Sequence, residues 1–156
     1  MSGKPGEGKS GTKPKRPTPN VVGFDALRAM VIGCPYHAWL GLDLVRLDEA
    51  EVEIRMPWRA EMVSDPTVRY THGGILAALV DLAADYAIAA KLGRGVPTID
   101  MRVDFHKTAL EGEALRAIGK LIKLGRTLAV AEASVLRESD GDLIASGRGV
   151  YLTKAE

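Results

Sequence analysis

Residues 72–92 hold the stretch to which the rest of the chain must adapt. His72-Gly73-Gly74 is followed by Ile75, Leu76, Ala77, Ala78, Leu79 and Val80, and apolar residues continue through Ile88 to Leu92. They fall on every face of a helix, and no cation appears before Lys91. A helix that is hydrophobic all round has to be enclosed by the remainder of its domain. Yet Asp81 and Asp85 sit inside it, one turn apart on the same face. No Lys or Arg on the helix stands three or four residues from either acid, so neither has a local ion-pair partner. An enclosed carboxylate without a partner is costly, and acids held in that way concentrate at functional sites.

The same two acids argue against a membrane span. Roughly 18 apolar residues suffice to cross a bilayer, but each aspartate near the centre costs about 2.5–3.5 kcal/mol on insertion scales. A chain of 156 residues with 46% apolar and 26% charged residues fits one soluble domain with its own core. The net charge of +1 conceals an asymmetry, because Lys4, Lys9, Lys13, Lys15 and Arg16 face only Glu7 among residues 1–20. That segment lacks apolar side chains and is expected to be a disordered basic tail, with the folded domain at 21–156. The domain itself then carries no basic excess, which excludes a nucleic-acid partner as the leading expectation. A single cysteine, Cys34, rules out an internal disulfide, and no secretory signal is visible, so a cytoplasmic protein is expected.

Around the helix the sequence reads as strands. A short helix is expected within Val21–Met30, then a hairpin of Leu40–Leu47 and Glu51–Met56 about Asp48-Glu49. In the second arm Val52, Ile54 and Met56 point inward and Glu51, Glu53 and Arg55 outward. After the helix, which Gly93 is suited to cap, four strands follow at Thr98–Phe105, Glu113–Leu124, Thr127–Arg137 and Leu143–Leu152. Asp140-Gly141 marks the last hairpin. Strand, strand, long helix, four strands predicts an α+β fold, an antiparallel sheet lying against one helix.

The first turn of a helix offers unpaired N–H groups and partial positive charge, and glycine there lets a ligand approach closely. Gly73 and Gly74 are thus candidates to hold an oxyanion, with Asp81 as general base on water or as nucleophile. Ala77, Ala78 and Ala84 leave space beside it. Eight residues separate Gly73 from Asp81, about 12 Å at roughly 1.5 Å per residue. One helix cannot bring both to a single reacting group. Two antiparallel copies can, which predicts a site shared across a two-fold dimer.

His72-Gly73-Gly74 with Leu79-Val80-Asp81, Pro97-Thr98-Ile99-Asp100-Met101 and Gly125-Arg126-Thr127 carry a family resemblance. Over residues 36–152 the chain resembles hotdog-fold acyl-CoA thioesterases of the PaaI-like, phenylacetate-degradation-related group. The resemblance implies a central helix wrapped by the sheet, a homodimer with a continuous sheet and often a dimer of dimers, and an acyl-CoA substrate with no separate cofactor. It implies that Asp81 is the catalytic carboxylate, that Gly73 polarises the thioester carbonyl across the subunit boundary, and that His72 lies near the thioester. It places Thr98 as an orienting hydroxyl and sets Gly74, Gly125 and Arg126 against the substrate. Many members carry Asn six residues before the motif histidine; here Pro66 stands there, with Asp65 beside it as a substitute.

Competing roles accompany these assignments. Asp81 has an alternative as a buried acid capping a loop or paired with Arg102, Asp85 is a weaker site candidate with an alternative as a subunit-contact or structural group, and His72 has one as a residue orienting the start of the helix. If the two acids are close and dry, one must titrate late. His37 and His106 stand alone and no metal-ligand spacing occurs. Cys34 reads as a packed thiol. There is no G-x-S-x-G elbow or P-loop. Acyl-CoA hydrolysis is the leading function, with a non-catalytic acyl-CoA or acyl-carrier binding protein and a hotdog dehydratase as its rivals.

Overall fold

The computed structural model describes residues 18–154, so most of the expected tail, 1–17, lies outside the described residues. Two of its last three residues are held by hydrogen bonds. Lys91 Nζ donates to the Thr18 carbonyl, and Asn20 Nδ2 donates to the Asp48 carbonyl at 2.9 Å.

The elements are α1 (Phe24–Gly33), α2 (Pro35–Leu40), β1 (Asp43–Leu47), β2 (Glu51–Met56), a 3₁₀ turn at Ala60–Met62, α3 (Gly73–Leu92), β3 (Thr98–Phe105), β4 (Leu115–Leu124), β5 (Leu128–Arg137) and β6 (Leu143–Leu152). The strands form one six-stranded sheet in the order β1-β2-β4-β5-β6-β3, with every neighbouring pair antiparallel. Two expectations change at the N-terminal end. Helix α1 begins later than predicted, and Leu40 ends a helix rather than opening a strand. Pro35 at the first position of α2 supplies a preset φ, and Gly41, at φ 72°, ends it in the left-handed region. A third correction concerns Glu53, which faces outward yet is only 7% exposed. Arg46 and Arg116 close over it at 3.1 and 2.8 Å.

Helix α3 lies across β4, β5 and β6, and Leu76, Leu79, Val80, Ala83 and the run from Tyr86 to Lys91 are buried. The floor beneath it is made of small residues: Ala117 and Gly119 on β4, Ala129, Ala131 and Ala133 on β5, and Ala145, Gly147 and Gly149 on β6. At Gly119 a Cβ would lie 1.8 Å from the Ala83 carbonyl oxygen, so helix backbone rests directly on strand backbone. Among the described residues no helix is long and apolar enough to cross a membrane.

This close approach predicts an asymmetry between two glycines. Gly119→Ala is expected to lower unfolding free energy by about 1–3 kcal/mol or more, the range for overpacking a tight core. Gly33→Ala, with nothing within 4 Å of its Cβ position, is expected to stay within about 0.5 kcal/mol of wild type. Urea denaturation midpoints of the two variants provide the comparison.

Candidate active site

The His-Gly-Gly motif builds the start of α3 with a specific division of labour. His72 is the N-cap, and its Nδ1 accepts the Gly74 N–H at 2.8 Å. That bond leaves the ring proton on Nε2, facing outward on an exposed side chain. Gly74 is needed because a Cβ there would lie 2.9 Å from that same Nδ1. The N–H groups of Ile75 and Leu76 both bond to the His72 carbonyl. Among the described residues, Gly73 N–H alone in this first turn has no partner. It is the donor left for a ligand. The Phe105 ring lies near it, 3.6 Å from the position a Gly73 Cβ would take.

Further along α3, Asp81 is half-buried rather than dry, and it is not without partners. Thr98 Oγ1 donates to Asp81 Oδ1 at 2.8 Å. The Tyr151 hydroxyl lies 3.2 Å from the same oxygen and 3.3 Å from the Asp81 carbonyl. Among the described residues no Lys or Arg makes an ion pair with Asp81. Arg102, the alternative partner on the neighbouring strand, pairs instead with Asp104 at 2.9 Å. Register explains why the two hydroxyls converge: Thr98 on β3 pairs with Tyr151 on β6, and both strand ends lie beside the middle of α3. The family resemblance implied an orienting hydroxyl at Thr98, whose Oγ1 lies on Asp81. Tyr151 was missed, because a tyrosine in an alternating strand looks like ordinary core.

Asp85 does something different. Its Oδ1 accepts the Val96 N–H at 3.0 Å, which fixes the turn that leads into Thr98. Burial, opposed by that hydrogen bond and reinforced by the nearby Asp81, pushes its carboxyl up to about 6. It is the acid of the pair that titrates late. Tyr151, 0% exposed, is pushed well above the usual phenol range by burial and by Asp81, so it stays a donor. Gly125 and Arg126 form the β4–β5 turn, at the sheet end where Tyr151 pairs with Ala129 on β5. Arg126 is exposed there. Asp65, by contrast, turns its carboxylate onto its own loop, accepting the N–H groups of Thr67 and Val68 at 2.7 and 2.8 Å.

Comparison with known proteins gives the family. Residues 69–144 match the Thioesterase superfamily family model. A protein of Halobacterium salinarum provisionally named an esterase is 30% identical, over 84% of this chain and 96% of its own length. A medium/long-chain acyl-CoA thioesterase of Salmonella typhimurium, YigI, is 28% identical over 76% of this chain and 84% of its own. Among solved structures, one thioesterase-superfamily protein is 45% identical, covers 83% of this chain and 96% of its own, and superposes with a TM-score of 0.79. A mutant PaaI of Thermus thermophilus is 26% identical, covers 76% and 98% of the two chains, and gives 0.67. The chain belongs to the thioesterase superfamily, and its fold is the α+β hotdog of PaaI-like thioester hydrolases.

The late titration of Asp85 has a measurable consequence. A folded-state value of about 6 against an ordinary 3.8 means that the native state prefers the neutral acid. The associated stability is full below the unfolded value and is lost as pH rises through the folded one. Asp85→Asn keeps the acceptor for Val96 N–H and removes the charge. It is expected to raise Tm at pH 7.5; a value of about 6 against 3.8, at about 1.4 kcal/mol per pH unit, corresponds to a stabilisation on the order of 3 kcal/mol. Thermal melts at stepped pH should show that gain closing near pH 4; a gain constant across pH would mean that the charge is not its source.

Proposed function

We infer that the protein hydrolyses acyl-CoA thioesters to free acid and CoA, in a dimer whose two sites are each built from both copies. The observation that carries this is one helix bearing a hydroxyl-held carboxylate, Asp81, and an unpaired N–H, Gly73, about 12 Å apart at roughly 1.5 Å per residue. Strand β3 connects these two places. Thr98 at its start bonds to Asp81, and Phe105 at its end lies beside Gly73. β3 is also a sheet edge, with Ile99 56% and Phe105 57% exposed, and such an edge is open to pairing. Two β3 strands paired antiparallel about a two-fold near Met101 and Arg102 set the Thr98 end of one against the Phe105 end of the other. Asp81 then faces Gly73 of the partner subunit.

In that arrangement Asp81 Oδ2, which no protein group occupies among the described residues, takes a proton from water as the oxygen attacks the thioester carbon. The resulting oxyanion is held by the Gly73 N–H of the partner subunit, with His72 Nε2–H as a second donor. Collapse breaks the C–S bond, and the CoA thiolate leaves with the proton from Asp81. In the alternative route Oδ2 attacks the acyl carbon directly and water releases the acid afterwards. Either way the chemistry starts at one atom, and no cofactor is required because CoA is the leaving group. Acyl-CoA as the substrate rests on the named activity of the Salmonella relative. The CoA phosphates are assigned to Arg126, which is exposed at the sheet end that holds Thr98 and Tyr151.

Thiol release from short-, medium- and aryl-acyl-CoA substrates tests the activity. Asp81→Asn is expected to lose at least about 1,000-fold in kcat while still binding CoA; retained turnover would remove Asp81 from the mechanism. Stabilisation by CoA with no thiol released by the wild type would instead make this a binding protein. A mixing experiment tests the shared site. Gly73→Pro replaces the N–H with a ring carbon, at a first helical position where proline is accepted, its Cβ reaching ordinary contact with Phe105 at 3.6 Å. Each variant alone is expected to be inactive. Re-equilibrated equal mixtures should recover about one quarter of wild-type activity, because half the dimers are mixed and each carries one intact site. No recovery would place both groups in the same copy.

A further inference from the structure

Asp81 is held by two hydroxyls on one oxygen, and the second of them has no part in the mechanism above. Tyr151 is fully buried on β6, its hydroxyl 3.2 Å from Asp81 Oδ1, where Thr98 Oγ1 donates at 2.8 Å. The two donors come from adjacent strands, β3 and β6, whose register opposes these two residues. Space for the tyrosine ring comes from Gly149, two residues earlier on the same strand face. A Cβ there would lie 2.7 Å from both the Tyr151 hydroxyl and its Cε2.

A single donor on a carboxylate leaves the side chain free to swing about that one bond. Two donors from different directions on Oδ1 fix both side-chain torsions, which leaves Oδ2 as the oxygen presented to the reacting water. Displacements on the order of 1 Å at such a group cost about 100-fold in rate. We propose that Tyr151 is a positioning residue for thioester hydrolysis, clamping Asp81 Oδ1 together with Thr98 so that Oδ2 is aimed, with Gly149 providing the seat for its ring. The inference rests on Asp81 as the acting carboxylate. The rival role for Tyr151 is a core tyrosine whose hydroxyl is satisfied by the Asp81 carbonyl oxygen at 3.3 Å. That role affects stability and leaves turnover alone.

Steady-state kinetics on the best acyl-CoA of the panel separate the two. Tyr151→Phe keeps the ring and removes the hydroxyl; kcat is expected to fall about 10-fold or more, with KM within about two-fold. Gly149→Ala keeps the hydroxyl and displaces the ring, and it is expected to lower kcat comparably. The double variant should be no slower than Tyr151→Phe alone, because both changes release one clamp. Thermal melts run beside each assay, at temperatures where every variant is folded. Wild-type kcat in folded Tyr151→Phe, or multiplicative losses in the double variant, would overturn the clamp. If Asp81→Asn is silent while Tyr151→Phe is fully active, the inference alone fails. If Asp81→Asn turns over normally, the underlying assignment of Asp81 fails first.

Discussion

The contact on which the rest depends is backbone against backbone, where α3 crosses the sheet. With the Ala83 carbonyl over Gly119, and the Val80 side chain seated over Gly147, no side chain on the strands can hold the helix away. Alanines on β4, β5 and β6 extend this floor. A helix seated on larger residues would stand farther off, and its core would still be apolar and buried. What it would lose is reach. Thr98 has a side chain of three heavy atoms, and it meets Asp81 at 2.8 Å only because β3 and α3 run so close together. The packing that stabilises the domain is therefore also what brings hydroxyls to the carboxylate.

Much of this was legible because long, punctuated patterns survive without structural context. The buried helix is 20 residues long, begins after His72 and ends at Gly93, whose φ of 74° explains why glycine stands there. The strands showed themselves by alternation. Short elements did not: α2 has six residues, fewer than two turns, and its apolar residues mimic the start of a strand. Glu53 reads as solvent-facing until two arginines from other elements fold over it. For the site, helix position singled out Gly73, Gly74 and Asp81 and the family resemblance added His72 and Thr98, but neither gave the difference in hydrogen bonding between Gly73 and Gly74. That difference follows from where one imidazole sits. Tyr151 lacked any local sign except one, a glycine two residues before it on the face that packs under the helix.

In the proposed dimer, strand β3 ties assembly to chemistry. A sheet edge with large apolar side chains in water is ordinarily a liability, and natural proteins shorten, charge or cover such edges. Here Ile99 and Phe105 remain exposed while Asp100, Arg102 and Asp104 interrupt them. Its two ends touch the two groups that the proposed mechanism needs together. An edge that closes by pairing with itself turns a separation along one helix into proximity between two. In such an assembly the distance between Gly73 and Asp81 is what makes the pair selective for the dimer, since a lone copy holds both groups and can use neither jointly.

Asp81 and Asp85 show how two identical residues one turn apart acquire different work from what solvates them. Hydroxyls solvate the first: Thr98 and Tyr151 donate to one oxygen and leave the other open. A backbone amide solvates the second, and burial holds it toward its neutral form. Had both been held alike, two adjacent charges would oppose each other's ionisation. Their environments differ, yet the charge of Asp81 still helps raise Asp85, and the two acids are also linked. Asp85 holds Val96, Val96 stands two residues before Thr98, and Thr98 donates to Asp81. Asp85 thus sets the start of β3, and through it the position of Asp81, the acid that the proposed mechanism uses.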